Sequence, residues 1–229
     1  MHTIAFLTQK GGAGKTTLAA SLAEVAASTG ETVIALDLDP QQSLLRWAER
    51  REAAKARNKI VVELLEQERL PLLRDILEGL ASAGFTLAIF DTTGADAAAV
   101  RSVAEVADLN LLPARPTRSD VEATAATFRA VFLAKRQAAF VLNQCPPSYR
   151  STRASEAARQ LSCLGVLAEP MLCTRMDFQD AIAAGLGVTE YAVGGRAAEE
   201  IATLWNWSRA QLAGGKSEAA DDRPQQTAA

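Results

Sequence analysis

Ten residues near the start of the chain carry its most specific chemistry: Gln9-Lys10-Gly11-Gly12-Ala13-Gly14-Lys15-Thr16-Thr17-Leu18. An apolar run, Ile4-Ala5-Phe6-Leu7, precedes them, and an alanine-rich stretch follows. That order reads as strand, glycine-rich turn and helix start. Glycines let the backbone wrap with its N–H groups pointing inward, and the helix N-terminus adds the positive end of a dipole, so the segment is suited to phosphate. Gly11, Gly12, Ala13 and Gly14 would supply the amides, with Thr16 and Thr17 opening the helix. Lys15 would place a point charge on the β- and γ-phosphates, and the Thr16 hydroxyl can hold Mg²⁺.

Three carboxylates follow strands in a way that suits the same chemistry. Leu36-Asp37-Leu38-Asp39-Pro40-Gln41 closes the second apolar run. Side chains at the carboxyl end of a parallel strand face the ligand crevice, and residues i and i+2 point the same way. One of the pair can hold metal-bound water while the other positions an attacking water. Phe85-Thr86-Leu87-Ala88-Ile89-Phe90-Asp91 is an apolar strand ending in a carboxylate, which puts Asp91 where a metal-binding aspartate of a phosphate-loop protein stands.

The loop departs from the plain phosphate-loop pattern, which wants glycine where Gln9 stands. Lys-Gly-Gly-x-Gly-Lys-Thr resembles the deviant Walker A loop of the ParA/MinD family of ATPases, and the resemblance extends over about residues 3–212. It implies ATP and Mg²⁺ as cofactors and an ATP-dependent homodimer in which Lys10 reaches the partner's nucleotide. Lys10, Lys15 and Asp39 become the catalytic candidates, Asp39 orienting the hydrolytic water. Thr16, Asp37 and Asp91 become the metal candidates. Where many relatives continue with prolines after the Walker B aspartate, this chain has Asp91-Thr92-Thr93-Gly94, which leaves that loop's conformation open.

Further segments follow the family pattern. Pro113-Ala114-Arg115-Pro116-Thr117-Arg118-Ser119-Asp120 resembles a Pro-x-x-Pro segment that supports the dimer face. Asn143, ending a strand, either reads an adenine edge or hydrogen-bonds its own turn. The loop from Pro170 to Arg175 matches the one that wraps the base. Family members hold DNA non-specifically through cations of the C-terminal half, so Arg150, Arg153, Arg175 and Arg209 are DNA candidates by region. The resemblance implies a ParB-type or ribbon-helix-helix partner that stimulates slow hydrolysis, with plasmid or chromosome segregation as the task. The segment after Asp39, Ser43-Leu44-Leu45-Arg46-Trp47, also resembles the VirC1-like proteins of DNA transfer, and positioning of another cytoplasmic cargo is a third reading. A metabolic phosphate-loop enzyme, such as a dethiobiotin-synthetase-like ligase, is the contrasting class.

Composition excludes several chemistries. The three cysteines, at 145, 163 and 173, lack Cys-x-x-Cys spacing and read as small buried or semi-buried residues rather than disulfide, zinc or cluster ligands. His2 is the single histidine, so no Ser–His or Cys–His catalysis is available. A net charge of −3 argues against a strongly basic nucleic-acid binder and leaves room for a local basic patch. Arg46, Arg50, Arg51, Lys55, Arg57 and Lys59 crowd one helix with Glu49 and Glu52 among them, the pattern of a solvated face. No apolar run approaches the ~20 residues that span a bilayer, and the chain enters a strand at once, so a cytoplasmic, nucleoid-associated protein is expected.

The elements that must position these groups alternate. Strands are expected at about 3–8, 32–38, 59–64, 86–90, 109–113, 138–142 and 166–172. Helices are expected at about 15–29, 42–57, 70–83, 97–106, 119–135, 152–164, 178–184 and 197–212. Several strands are continuous apolar runs, as in sheets buried on both faces. The fold class is therefore α/β, a doubly wound, mostly parallel sheet flanked by helices. Residues 1–213 form one ATPase domain, and 214–229, without a large apolar side chain, read as a disordered tail with no face to insert in a membrane.

Overall fold

The computed structural model of the chain describes residues 1–94, 96–147 and 151–221, the last seven as backbone only. Seven strands form one sheet in the order β3-β2-β4-β1-β5-β6-β7, and every pairing is parallel. They are β1 (His2–Phe6), β2 (Val33–Asp37), β3 (Val61–Leu64), β4 (Leu87–Asp91), β5 (Leu109–Ala114), β6 (Ala138–Leu142) and β7 (Val166–Leu167). The helices are α1 (Lys15–Ser28), α2 (Ser43–Ala53), α3 (Leu73–Ser82), α4 (Ala97–Val106), α5 (Arg118–Leu133), α6 (Thr152–Ser162), α7 (Met176–Ala183), α8 (Val188–Tyr191) and α9 (Arg196–Asp221).

The pleat sorts each strand's residues onto two cores. Ile4 and Phe6 face a cluster with α1, Trp47 of α2, Phe178 of α7 and Trp205 of α9. Ala5 and Leu7 face the opposite cluster with α3 and α4, which continues under α6 as a third. Helix α1 is buried over most of its surface, because α9 covers the side that the sheet does not. Alanine makes this possible: a helix of small side chains packs closely on both faces. Trp205 docks α9, its indole N–H donating to the Thr29 hydroxyl at 2.9 Å.

Most expected elements lie within a few residues of the observed ones, and the departures have local causes. The seventh strand is confined to two residues, since Pro170 lacks the N–H that a ladder requires. The helix expected at 42–57 stops at Ala53, followed by Lys55 at φ 52°. The segment before α3 is a 3₁₀ turn over Gln67–Leu72 around Pro71. The short α8 was not expected. Helix α9 continues past 212 to Asp221, so the first part of the expected tail is helical backbone, and 222–229 lie outside the described residues.

Strand order brings the chemistry together. β1 lies between β4 and β5, so the chain crosses from one side of it to the other, and the crevice opens at the carboxyl ends there. The phosphate loop leaves β1, Asp37 and Asp39 leave β2, and Asp91 ends β4, three neighbouring strand ends.

Candidate nucleotide site

An open cleft of about 630 Å³ lies over these ends, lined by Gly11, Gly12, Lys15, Thr16, Asp39 and Gly94 among others. Gly12 (φ 79°) and Gly14 (φ 91°) adopt left-handed conformations that favour glycine and turn the loop back into α1. A Cβ on Gly14 would stand 2.4 Å from the Asn143 amide nitrogen, so the loop is also pressed against the end of β6. The first-turn amides of α1 have no intrahelical acceptor, as at any helix start, and are available to an anion.

Lys15 lines the cleft, and Asp91 lies buried beneath it. Lys15 is 8% exposed, and burial lowers its pKa, while the charges of Asp91 and Asp39 act the other way. Asp91 is fully buried, and neither carboxylate oxygen has a hydrogen-bond partner. Burial pushes its pKa up to about 7. The charges of Asp37 and Asp39 add to that, while the nearby Thr16 hydroxyl and Lys15 draw it down without reaching it in hydrogen-bond geometry. A buried carboxylate left without partners is costly unless a cation completes it. Its place beside Thr16 and below the phosphate loop fits a magnesium-bound nucleoside triphosphate.

The other two aspartates differ. Asp37 has no exposed surface, and both its oxygens are engaged: Oδ1 accepts from Asp39 N at 2.9 Å, Oδ2 from Leu44 N at 3.0 Å and Leu45 N at 3.1 Å. It caps α2, whose own N-cap position, Gln42, makes no side-chain cap. Burial raises its pKa against those three amide bonds. Asp37 thus shapes the loop that carries Asp39, and Asp91 is the carboxylate whose two oxygens are left unpartnered. Asp39 lines the cleft, one oxygen accepting from Gln41 N at 2.8 Å.

Asn143 takes the second of its two expected roles in modified form. Its Nδ2 donates to the Ala13 carbonyl at 2.8 Å and its Oδ1 accepts from Gln144 N at 2.9 Å, while Gln144 Nε2 donates to Gly12 O at 3.0 Å. In this structure the β6 end is hydrogen-bonded to the phosphate loop. Pro170 follows a cis peptide bond in the neighbouring loop. After Asp91, the Thr92 hydroxyl donates to Phe6 O at 2.8 Å, and a Cβ on Gly94 would stand 3.3 Å from Gln9 and Lys10 backbone. Gly94 therefore lets the loop without prolines lie directly on the phosphate loop.

Lys10 does not point at the cleft floor. Its ammonium lies 2.6 Å from Asp120 Oδ1 and donates to Ser119 Oγ at 2.6 Å, both on α5 of the same chain. Arg115 also pairs with Asp120. The sequence signalled a structural segment here, and this pairing was missed; an acid and a serine opening a helix near a loop lysine were its only trace.

The DNA candidates scatter. Arg175 is engaged by Glu200, Nη2 to Oε1 at 2.5 Å. Arg209 lies over the Trp205 ring beside His2, at the opposite end of the strands from the cleft. Arg153 lines a groove of about 650 Å³ between α5 and α6 that also carries Arg118, Glu122 and Glu156. Arg150 lies outside the described residues. The solvated face expected on α2 is corrected at Arg51, which is 5% exposed and paired with Glu190 at 2.5 Å. Cys163 is exposed, whereas Cys145 is buried. Among the described residues no helix is long and apolar enough to cross a membrane.

Comparison with known proteins places this geometry. The family model described as VirC1 protein matches residues 1–203. Protein virC1 of Rhizobium rhizogenes is 30% identical over 177 residues, covering 75% of this chain and 76% of that one. The maintenance of carboxysome distribution protein A of Gloeobacter kilaueensis is 39% identical over 121 residues, a match spanning 52% of each chain. Among solved structures, apo McdA from Cyanothece superposes with a TM-score of 0.77 at 18% identity, covering 93% of this chain and 99% of that one. The Pyrococcus furiosus cell division ATPase MinD gives 0.72 at 19% identity, covering 91% and 98%. A plasmid partition protein from Borrelia burgdorferi bound to AMPPNP gives 0.70 at 13%, covering 92% and 99%. Taken together, these matches mean that the chain belongs to the VirC1 family and has the fold of the ParA/MinD P-loop structures.

Proposed function

We propose that this protein is an ATP-dependent dimerisation switch that acts on DNA, holding it non-specifically as the ATP-bound dimer and letting go when a partner protein stimulates hydrolysis. The observation that carries this reading is the position of Lys10. A loop lysine parked on Asp120 and Ser119 of its own chain adds nothing to phosphate binding in cis, so its charge is available to a second copy.

Each side chain then has a task. The α1 amides and Lys15 bind and orient the phosphates, and Thr16 and Asp91 would hold Mg²⁺, which neutralises phosphate charge when bound. Asp37, through α2, positions Asp39, and Asp39 orients the attacking water. Lys10 from the partner neutralises charge that develops in the transition state. Phosphoryl transfer to water asks mainly for positioning and charge: water forms the new bond to the γ-phosphorus as the bond to ADP breaks, and no covalent enzyme intermediate is needed.

The family match favours DNA transfer as the task. Segregation of a plasmid is the second reading, favoured by the partition protein among the structural neighbours. A single ATPase domain that includes α9 is part of this proposal, as is nucleoid association through Arg153 and its neighbours. The test is sedimentation with no nucleotide, ADP or ATP and Mg²⁺, with and without non-specific duplex DNA. A dimer that forms with ATP and holds DNA in a salt-sensitive manner is expected, and Lys10→Ala should stay monomeric. A nucleotide-bound protein that ignores DNA in every state would turn the reading to a protein cargo.

A further inference from the structure

Three side chains converge on one carboxylate beside the phosphate loop. Asp120, in the first turn of α5, is 1% exposed. Its Oδ1 lies 2.6 Å from Lys10 Nζ. Its Oδ2 accepts from Arg115 Nε at 2.6 Å and from the Thr117 hydroxyl at 2.9 Å, and Arg115 Nη2 reaches Oδ1 at 3.3 Å. Burial alone would raise the Asp120 pKa, but the bonds from Arg115, Lys10 and Thr117 outweigh it and the net shift is downward. Two cations thus share one anion, and the cluster keeps a surplus positive charge next to the loop.

The second cation matters when the first departs. A buried carboxylate stripped of its only cation is strongly disfavoured, because its charge is left without water or partner. Were Lys10 the sole partner of Asp120, its release would meet that penalty in full. Arg115 offsets it with a two-point contact: Nε holds Oδ2, and Nη2 reaches Oδ1, the oxygen that Lys10 also holds. The remaining guanidinium nitrogen faces the phosphate loop: a Cβ on Gly12 would stand 3.7 Å from Arg115 Nη1.

We propose that Arg115 is a positioning residue that sets how readily Lys10 leaves its own chain, by keeping Asp120 neutralised whether or not Lys10 is present. Lys10 is then held by a shared carboxylate and can be given up when a second copy of this chain presents bound ATP. The inference rests on the reading that Lys10 crosses to a partner.

The experiment compares wild type, Arg115→Met, Arg115→Lys and the double variant Arg115→Met with Asp120→Asn. Dimer formation is followed by sedimentation velocity against ATP concentration with Mg²⁺, and monomer affinity by calorimetry with ADP. Arg115→Met is expected to raise the ATP concentration for half-dimerisation about tenfold or more, since Lys10 becomes the only cation on a buried carboxylate. Its ADP affinity should stay within about twofold, because Lys15 and the loop amides are untouched. Arg115→Lys should recover part of the loss. Adding Asp120→Asn should restore dimerisation, because the amide no longer retains Lys10; a merely structural defect would not be repaired this way. Dimerisation of Arg115→Met at wild-type ATP concentrations overturns the inference, and so does a folded double variant that fails to recover. An equal loss of ADP affinity overturns it too, by making Arg115 a direct phosphate ligand. A wild type that stays monomeric with ATP defeats the underlying switch reading and this inference with it, which sets that failure apart from the others.

Discussion

Asp91 and Glu24 are two buried carboxylates, each pushed up to about 7, in opposite kinds of surroundings. Asp91 ends β4 under the phosphate loop with both oxygens unpartnered. Glu24, on the far part of α1, is 1% exposed but well supplied: Asn58 Nδ2 donates to Oε1 at 3.1 Å and the Thr189 hydroxyl donates to Oε2. Burial raises Glu24 first and the charge of Glu190 second, against the Asn58 bond and the Arg51 charge. Arg51 in turn pairs with Glu190 at 2.5 Å and donates to Asn58 O at 2.7 Å, so α1, α2 and α8 are tied into one network. A similar pKa thus marks two different things. The satisfied cluster holds helices together; the unsatisfied one leaves its oxygens free beneath the phosphate loop, which is why we propose it for a cation.

Removing Arg51 should strike hardest, since it leaves Glu190 and Glu24 facing each other without their cation. Arg51→Ala is expected to cost about 3–5 kcal/mol in a urea melt, and a loss under about 1 kcal/mol would mean the network is solvated rather than buried. Asp91→Ala should do the reverse. ATP hydrolysis should fall roughly 100- to 1000-fold, while the nucleotide-free protein melts no lower than wild type, because a partnerless buried charge has gone. A clear drop in its melting temperature would move Asp91 into the structural class with Glu24.

Acidity sharpens the same contrast. Glu24 keeps its proton to about pH 7 when folded and releases it near 4.5 when unfolded, so its stabilising contribution is complete below about 4.5 and is lost as pH rises through 7. Melting temperature should therefore fall from pH 5 to pH 8, and Glu24→Gln should remove up to about 3 kcal/mol of that dependence. Mg²⁺ and ATP should abolish the share due to Asp91 and leave that of Glu24; a slope untouched by both would break the comparison. The smallest effect belongs to Asn143. Asn143→Ala loses two hydrogen bonds, to Ala13 O and from Gln144 N, about 1 kcal/mol each, and should weaken ADP and GDP alike by calorimetry. A selective loss for the adenine nucleotide would restore the base-reading role.

Much of the site was legible because it is contiguous. Residues 9–18 need only a strand before them and a helix after them to become a phosphate loop, and both are local. Asp91 was legible from an apolar run ending in an acid. Asp37 and Asp39 were legible as a pair, though not which of them is closed: that depends on α2 beginning where its amides fall on Asp37 Oδ2. Arg51 read as one of several solvated cations, since nothing local reveals that Glu190, 139 residues away, will bury it.

By itself, the sequence determined the parallel α/β class and the phosphate loop, because periodicity and glycine spacing act over a few positions. Tertiary structure alone decided which charges are paired. Ion pairs join residues on different elements: Lys10 with Asp120, Arg175 with Glu200, Arg51 with Glu190. Chain order says nothing about such distances until the sheet order β3-β2-β4-β1-β5-β6-β7 brings the elements together. A charge's role depends on burial and partners, so the same lysine, aspartate or arginine becomes ligand, latch or strut only in the fold.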